Sequence, residues 1–140
     1  IRFRLFNDGL GFRSEFPVQD GLKYFTLMEE KTEFNLAGDH KTFWIPGDYD
    51  SQEYAYNTTK LSEVNAAKGK YVDETAVKSV FADNGVQTPL MMKSVEGLYI
   101  NIHEAALINY PAMHLFVDRK NFSLTSHLAP NVVGSAAFLQ

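Results

Sequence analysis

One carboxylate stands out from the rest of the chain. The segment Leu98-Tyr99-Ile100-Asn101-Ile102-His103-Glu104 alternates in character, with the period of a strand that buries one face. Leu98, Ile100, Ile102 and Glu104 then share that face, so a carboxylate ends an apolar row. Burying an unpaired carboxylate costs several kcal/mol. Glu104 is therefore expected at the strand's end, at an exposed edge, with a cation, an arginine or water as its partner. The residues alone leave two readings open: a structural ion pair or solvated strand end, and a metal or ligand contact.

The remaining candidates for chemistry are weaker. His103 is expected on the opposite face from Glu104. His40, His103, His114 and His127 are scattered, with no pair at the spacing of a zinc site. The chain has no cysteine, which excludes disulfides, thiolate metal sites and cysteine nucleophiles. Asp48, Asp50 and Glu53 offer oxygen donors but miss the calcium-loop pattern, and read as solvated loop acids. Glu29, Glu30 and Glu33 could suggest glycosidase chemistry, but sequence spacing does not place two carboxylates across a scissile bond. They read as surface charge. No glycine-rich phosphate loop or dinucleotide fingerprint is present. No catalytic and no organic-cofactor residue is assigned.

The elements that must position Glu104 read as short strands. Ile1 to Phe6 alternates as a half-buried strand, turns at Asn7-Asp8-Gly9, and returns over Leu10 to Phe16. Lys23 to Met28 is a second apolar run that continues into the more polar Glu29 to Leu36. Ala37 to Leu61 reads as a long irregular stretch with turn chemistry and many rings: Phe43, Trp44, Tyr49, Tyr54 and Tyr56. Such a loop is expected to be packed down on the core, or else to offer Trp44, Tyr49 and Tyr54 as a sugar-stacking platform. Val72 to Phe81 fits helix or strand. Asn84-Gly85 marks a turn. Leu90 to Lys93 and Leu98 to Glu104 flank a tight turn, and Met113 to Val117 and Phe122 to Leu128 flank the polar turn Asp118-Arg119-Lys120-Asn121. The predicted fold is all-β, an antiparallel β-sandwich.

Composition agrees with a folded domain. Of 140 residues, 45% are hydrophobic, 14% aromatic and 21% charged, which argues against disorder. A net charge of -4 gives no reason to expect a nucleic-acid partner. No apolar run approaches the ~20 residues that span a bilayer, so no membrane partner is expected. The chain opens on a strand-like Ile1 and closes without a stop signal after Phe138-Leu139-Gln140, and both ends read as cut.

Three stretches together resemble one family. They are Glu33-Phe34-Asn35-Leu36-Ala37-Gly38-Asp39-His40-Lys41 running into Phe43-Trp44-Ile45-Pro46-Gly47-Asp48-Tyr49-Asp50; Glu53-Tyr54 with Tyr56-Asn57-Thr58-Thr59-Lys60-Leu61-Ser62; and Gly97-Leu98-Tyr99-Ile100-Asn101-Ile102-His103-Glu104-Ala105-Ala106-Leu107-Ile108-Asn109-Tyr110-Pro111. In this order they resemble the N-terminal domain of glycoside hydrolase family 97, the calcium-dependent α-glucosidases and α-galactosidases of Bacteroides-type bacteria. The resemblance implies that residues 1–140 are a partial N-terminal supersandwich, incomplete at both ends. It also implies a catalytic (β/α)₈ barrel elsewhere in the same polypeptide, which carries the acid and the base or nucleophile. The implied role of this chain is architecture plus one calcium ligand, Glu104, beside a carbohydrate substrate, in a periplasmic enzyme. On its own the chain is expected to be inactive. The competing readings are a non-catalytic carbohydrate-binding module and a purely structural β domain.

Overall fold

The computed structural model describes residues 1–69, 79–108, 110–130 and 137–139. Twelve strands follow in order among them: β1 (Arg2–Phe6), β2 (Gly9–Arg13), β3 (Phe25–Leu27), β4 (Glu33–Asn35), β5 (Lys41–Trp44), β6 (Asn57–Lys60), β7 (Gly85–Gln87), β8 (Leu90–Lys93), β9 (Tyr99–Ile102), β10 (Met113–Asp118), β11 (Ser123–Leu128) and β12 (Ala137–Leu139). The helical elements among the described residues are two single 3-10 turns, Leu61–Glu63 and Ala66–Lys68. No described helix is long and apolar enough to cross a membrane.

Two four-stranded antiparallel sheets form the sandwich, in the orders β4-β11-β10-β7 and β6-β5-β8-β9. Strand alternation fills the space between them. In β8, Leu90 and Met92 are buried while Met91 points out. They pair with Ile102 and Ile100 of β9, whose side chains pack against the same core. The other sheet contributes Val86 from β7, Leu115 and Val117 from β10 and Leu124 from β11. Trp44, Leu61, Val64 and Ala66 close the cluster. Burying side chains of this size is the main favourable term, at about 1.5–3 kcal/mol each. The all-β sandwich expected from the strand pattern is the observed fold.

Several local expectations are corrected. The stretch 37–61 is not one irregular loop: it contains β5 and β6, paired from Lys41↔Lys60 to Trp44↔Asn57. Asn57-Thr58-Thr59-Lys60 is an edge strand with too little apolar character to be seen by periodicity. Its packing is polar, with Trp44 Nε1 donating to Thr59 Oγ1 at 3.0 Å. Strand β7 lies where only a turn was expected. The β1–β2 hairpin forms as predicted, paired from Arg2↔Arg13 to Phe6↔Gly9. Its apolar face is not half-buried, however; Leu5 remains 81% exposed. Within the run Val72 to Phe81, residues 72–78 lie outside the described residues, and Val80 bridges to Asp48.

Candidate functional site

Glu104 follows the end of β9, two residues past Ile102. The alternation read from sequence fails at its start, where Leu98 is exposed, but it runs through to Glu104: Ile100, Ile102 and Glu104 are half-buried while Asn101 and His103 are exposed. β9 is the edge strand of its sheet, so Glu104 stands at an edge, half-buried rather than open. It lies at a cleft of about 260 Å³ that is also lined by Gln52, Gln87, Thr88, His103 and His114. His103, expected on the opposite face, is exposed where Glu104 is half-buried, and it too lines the rim of that cleft.

Among the described residues the partner of Glu104 is a hydroxyl, not a cation. Thr88 Oγ1 lies 3.4 Å from Glu104 Oε2 and 3.1 Å from the Met113 carbonyl oxygen, to which it also can donate. The ion pairs among the described residues are Arg2–Glu15, Arg13–Glu15, Lys31–Glu29 and Arg119–Asp83. Glu104 is in none of them. Its charge is nevertheless felt nearby. Burial pushes the Tyr110 hydroxyl well up, and a hydrogen bond to Glu30 and the charges of Glu30 and Glu104 push it further.

Carboxylate, hydroxyl and amide oxygens are hard donors, the chemistry that calcium prefers. Calcium takes about six to eight oxygens. Among the described residues no group of three or more His, Asp or Glu could hold a metal ion. The donor set therefore fits one contribution to a calcium shell and not a complete shell.

Asp48 behaves differently, against the expectation of a solvated loop acid. It is 3% exposed. Its Oδ1 accepts from the Asp50 and Ser51 amides at 2.8 and 3.2 Å. Its Oδ2 accepts from the Ser79 amide at 3.0 Å and from the Tyr54 hydroxyl. Burial raises its pKa, but these hydrogen bonds outweigh burial and hold it below the usual carboxylate value. Its carbonyl oxygen accepts from His114 Nε2 at 2.8 Å. Asp48 thus ties residues 48–54 to one another, to Ser79 and to β10.

The ring-rich loop is packed down, as expected, and does not form a stacking platform. Trp44 is 2% exposed and Tyr54 5%. Tyr49 spends one face on Phe81, with ring centroids 4.9 Å apart and planes within 9°. The Tyr49 hydroxyl meets His127 Nε2 at 2.5 Å. Of the three clustered glutamates, Glu29 pairs with Lys31 and Glu33 is exposed on β4. Glu30 is not simple surface charge, since it accepts from Tyr110 Oη and from Thr32 Oγ1. Thr88 was missed in the sequence, where a lone threonine before Pro89 carries no chemical pattern.

Comparison with known proteins follows this geometry. The family model described as Glycosyl-hydrolase 97 N-terminal matches residues 1–132. A retaining alpha-galactosidase of Bacteroides thetaiotaomicron is 28% identical over 142 aligned residues, covering 93% of this chain and 18% of that protein. Glycoside hydrolase family 97 structures from a Pseudoalteromonas species superpose with TM-scores of 0.76 and 0.74 at 33% identity. They cover 99% of this chain and 18% of theirs, and two were solved in complex with acarbose and with panose. The chain thus spans about a fifth of the length of the relatives that it matches. By this match over nearly all of its length, the chain belongs to the N-terminal domain family of glycoside hydrolase family 97.

Proposed function

We propose that this chain is the N-terminal sandwich of a glycoside hydrolase acting on α-glucosides or α-galactosides, and that Glu104 is its one ligand to a calcium ion at the junction with a catalytic barrel. The observation that carries the metal assignment is a half-buried carboxylate at a cleft whose walls mix polar side chains with Pro89, Leu107, Ala112 and Met113, with no cationic partner among the described residues. Burial without a compensating cation is costly, and a bound calcium would supply the missing charge. A barrel elsewhere in the polypeptide would supply the other oxygens, and its carboxylates the proton transfers. Here the sandwich orients one carboxylate and walls the cleft. Periplasmic location belongs to the same proposal and rests on the family resemblance.

The test is Glu104→Gln in the full-length enzyme, which removes a charge at nearly constant shape. Calcium affinity and glycosidase activity are expected to fall together. Normal values of both would sink the metal assignment. The chain by itself is expected to hydrolyse no aryl α-glucoside or α-galactoside, because glycoside hydrolysis needs two carboxyl groups flanking the bond. Turnover by rigorously purified chain would overturn that expectation.

A further inference from the structure

We infer that Thr88 is a positioning residue for Glu104, holding one carboxylate oxygen so that the other is presented to the ion. This deepens the proposed role of Glu104 and rests on it. Glu104 sits in a connection without regular structure, where a glutamate side chain keeps much of its rotamer freedom, and fixing such a side chain costs up to about 2 kcal/mol. Thr88 is the opposite kind of residue. It stands between Gln87 at the end of β7 and the fully buried Leu90 that opens β8, and β-branching restricts its own side chain further. A hydroxyl on a short connection between two strands thus lies beside a carboxylate on an irregular one.

The geometry sets the polarity of the contact. The hydroxyl has one proton and two acceptors, Met113 O at 3.1 Å and Glu104 Oε2 at 3.4 Å. The second distance exceeds a good O–H···O bond by a few tenths of an ångström. Closing that gap would complete the bond on Oε2 and would leave the other carboxylate oxygen to a ligand. The arrangement is that of an outer-shell hydrogen bond orienting a ligand, whose loss typically weakens metal affinity 10- to 100-fold.

The experiment titrates calcium alone into the full-length enzyme by calorimetry, for wild type, Thr88→Val, Thr88→Ser and Glu104→Gln, with a thermal melt of each in chelator. Thr88→Val keeps the shape and deletes the hydroxyl; its calcium affinity is expected to drop about tenfold, at the low end of that range because the contact is long. Thr88→Ser keeps the hydroxyl and is expected to stay within about twofold of wild type. A Thr88→Val variant that melts lower yet binds calcium normally would make Thr88 merely structural through Met113, and would overturn the inference. So would a Thr88→Ser variant as weak as Thr88→Val. If Glu104→Gln itself leaves affinity unchanged, the ligand reading fails, and the inference falls with it for that separate and identifiable reason.

Discussion

Asp48 and Glu104 are both acids in loops beside the same sandwich, yet the fold treats them in opposite ways. Asp48 receives four donors, three of them backbone amides, and is sealed from solvent. Among the described residues Glu104 receives one long contact from a hydroxyl, and it opens onto a cleft. A carboxylate whose lone pairs are filled by its own chain has finished its work when the domain folds. A carboxylate left under-satisfied at a cleft has bonding capacity to spend on something else. The difference separates a structural acid from a candidate ligand, although both read as oxygen donors in the sequence.

The largest effect expected from breaking this contrast is at Asp48. Asp48→Ala strands two backbone amides of its own turn, the Ser79 amide and the Tyr54 hydroxyl. Hydrogen bonds to a charged group are worth about 1.5–3 kcal/mol each, and part of the loss is recovered by water, so a destabilisation of about 3 kcal/mol is expected in urea unfolding. A loss under about 0.5 kcal/mol, the range of ordinary surface changes, would remove Asp48 from its structural role.

An intermediate effect is expected from pH. Burial lowers the pKa of His114, despite the Asp48 carbonyl and the charges of Glu104 and Asp48 acting the other way. Burial and then the neighbouring His114 lower that of His127. In the unfolded chain both take a proton near pH 6.5, while the folded chain resists until lower pH. In that interval the unfolded state binds more protons, so stability is full above about pH 6.5 and declines as the pH falls below it. The decline levels off once the folded histidines are themselves protonated. Asp48, with its lowered pKa, adds a second loss below about pH 4. Denaturation midpoints between pH 8 and pH 3 would reveal both steps, and His127→Gln should shrink the upper one. A flat profile down to pH 5 would contradict the histidine assignment.

The smallest effect expected is at Glu104. In the chain alone, Glu104→Gln removes no ion pair and one weak contact among the described residues, so the shift should stay within about 0.5 kcal/mol. A large destabilisation by that change would mean that Glu104 is spent inside the fold, as Asp48 is, and the contrast between the two would collapse.

The sequence was legible where one local rule dominated. Alternation located β1 and β9, and runs flanking turn residues located β2, β8, β10 and β11. The Asp118 turn was read from its residues, and Asp118 Oδ1 does accept from the Lys120 and Asn121 amides at 2.9 Å each. The rule failed at β6, where four polar residues form an edge strand because β5 offers a partner, and at β7, where three residues are too few for a period to register. It also misjudged the hairpin, whose alternating apolar residues are real but uncovered. Alternation states which side chains share a face and says nothing of what lies opposite.

By itself the sequence determined the all-β class, the family, and the choice of Glu104 as the acid to watch. Each depends on residue order along the chain, which periodicity and motif order record. Only the tertiary structure decided that Asp48 is buried and saturated, that Trp44 and Tyr54 belong to the packed interior, and that Thr88 stands beside Glu104. Those facts join residues far apart in the chain: Thr88 and Glu104 are 16 positions apart and Asp48 and Ser79 are 31. Burial and hydrogen bonding are set by what the fold brings across such gaps, and no local pattern encodes it.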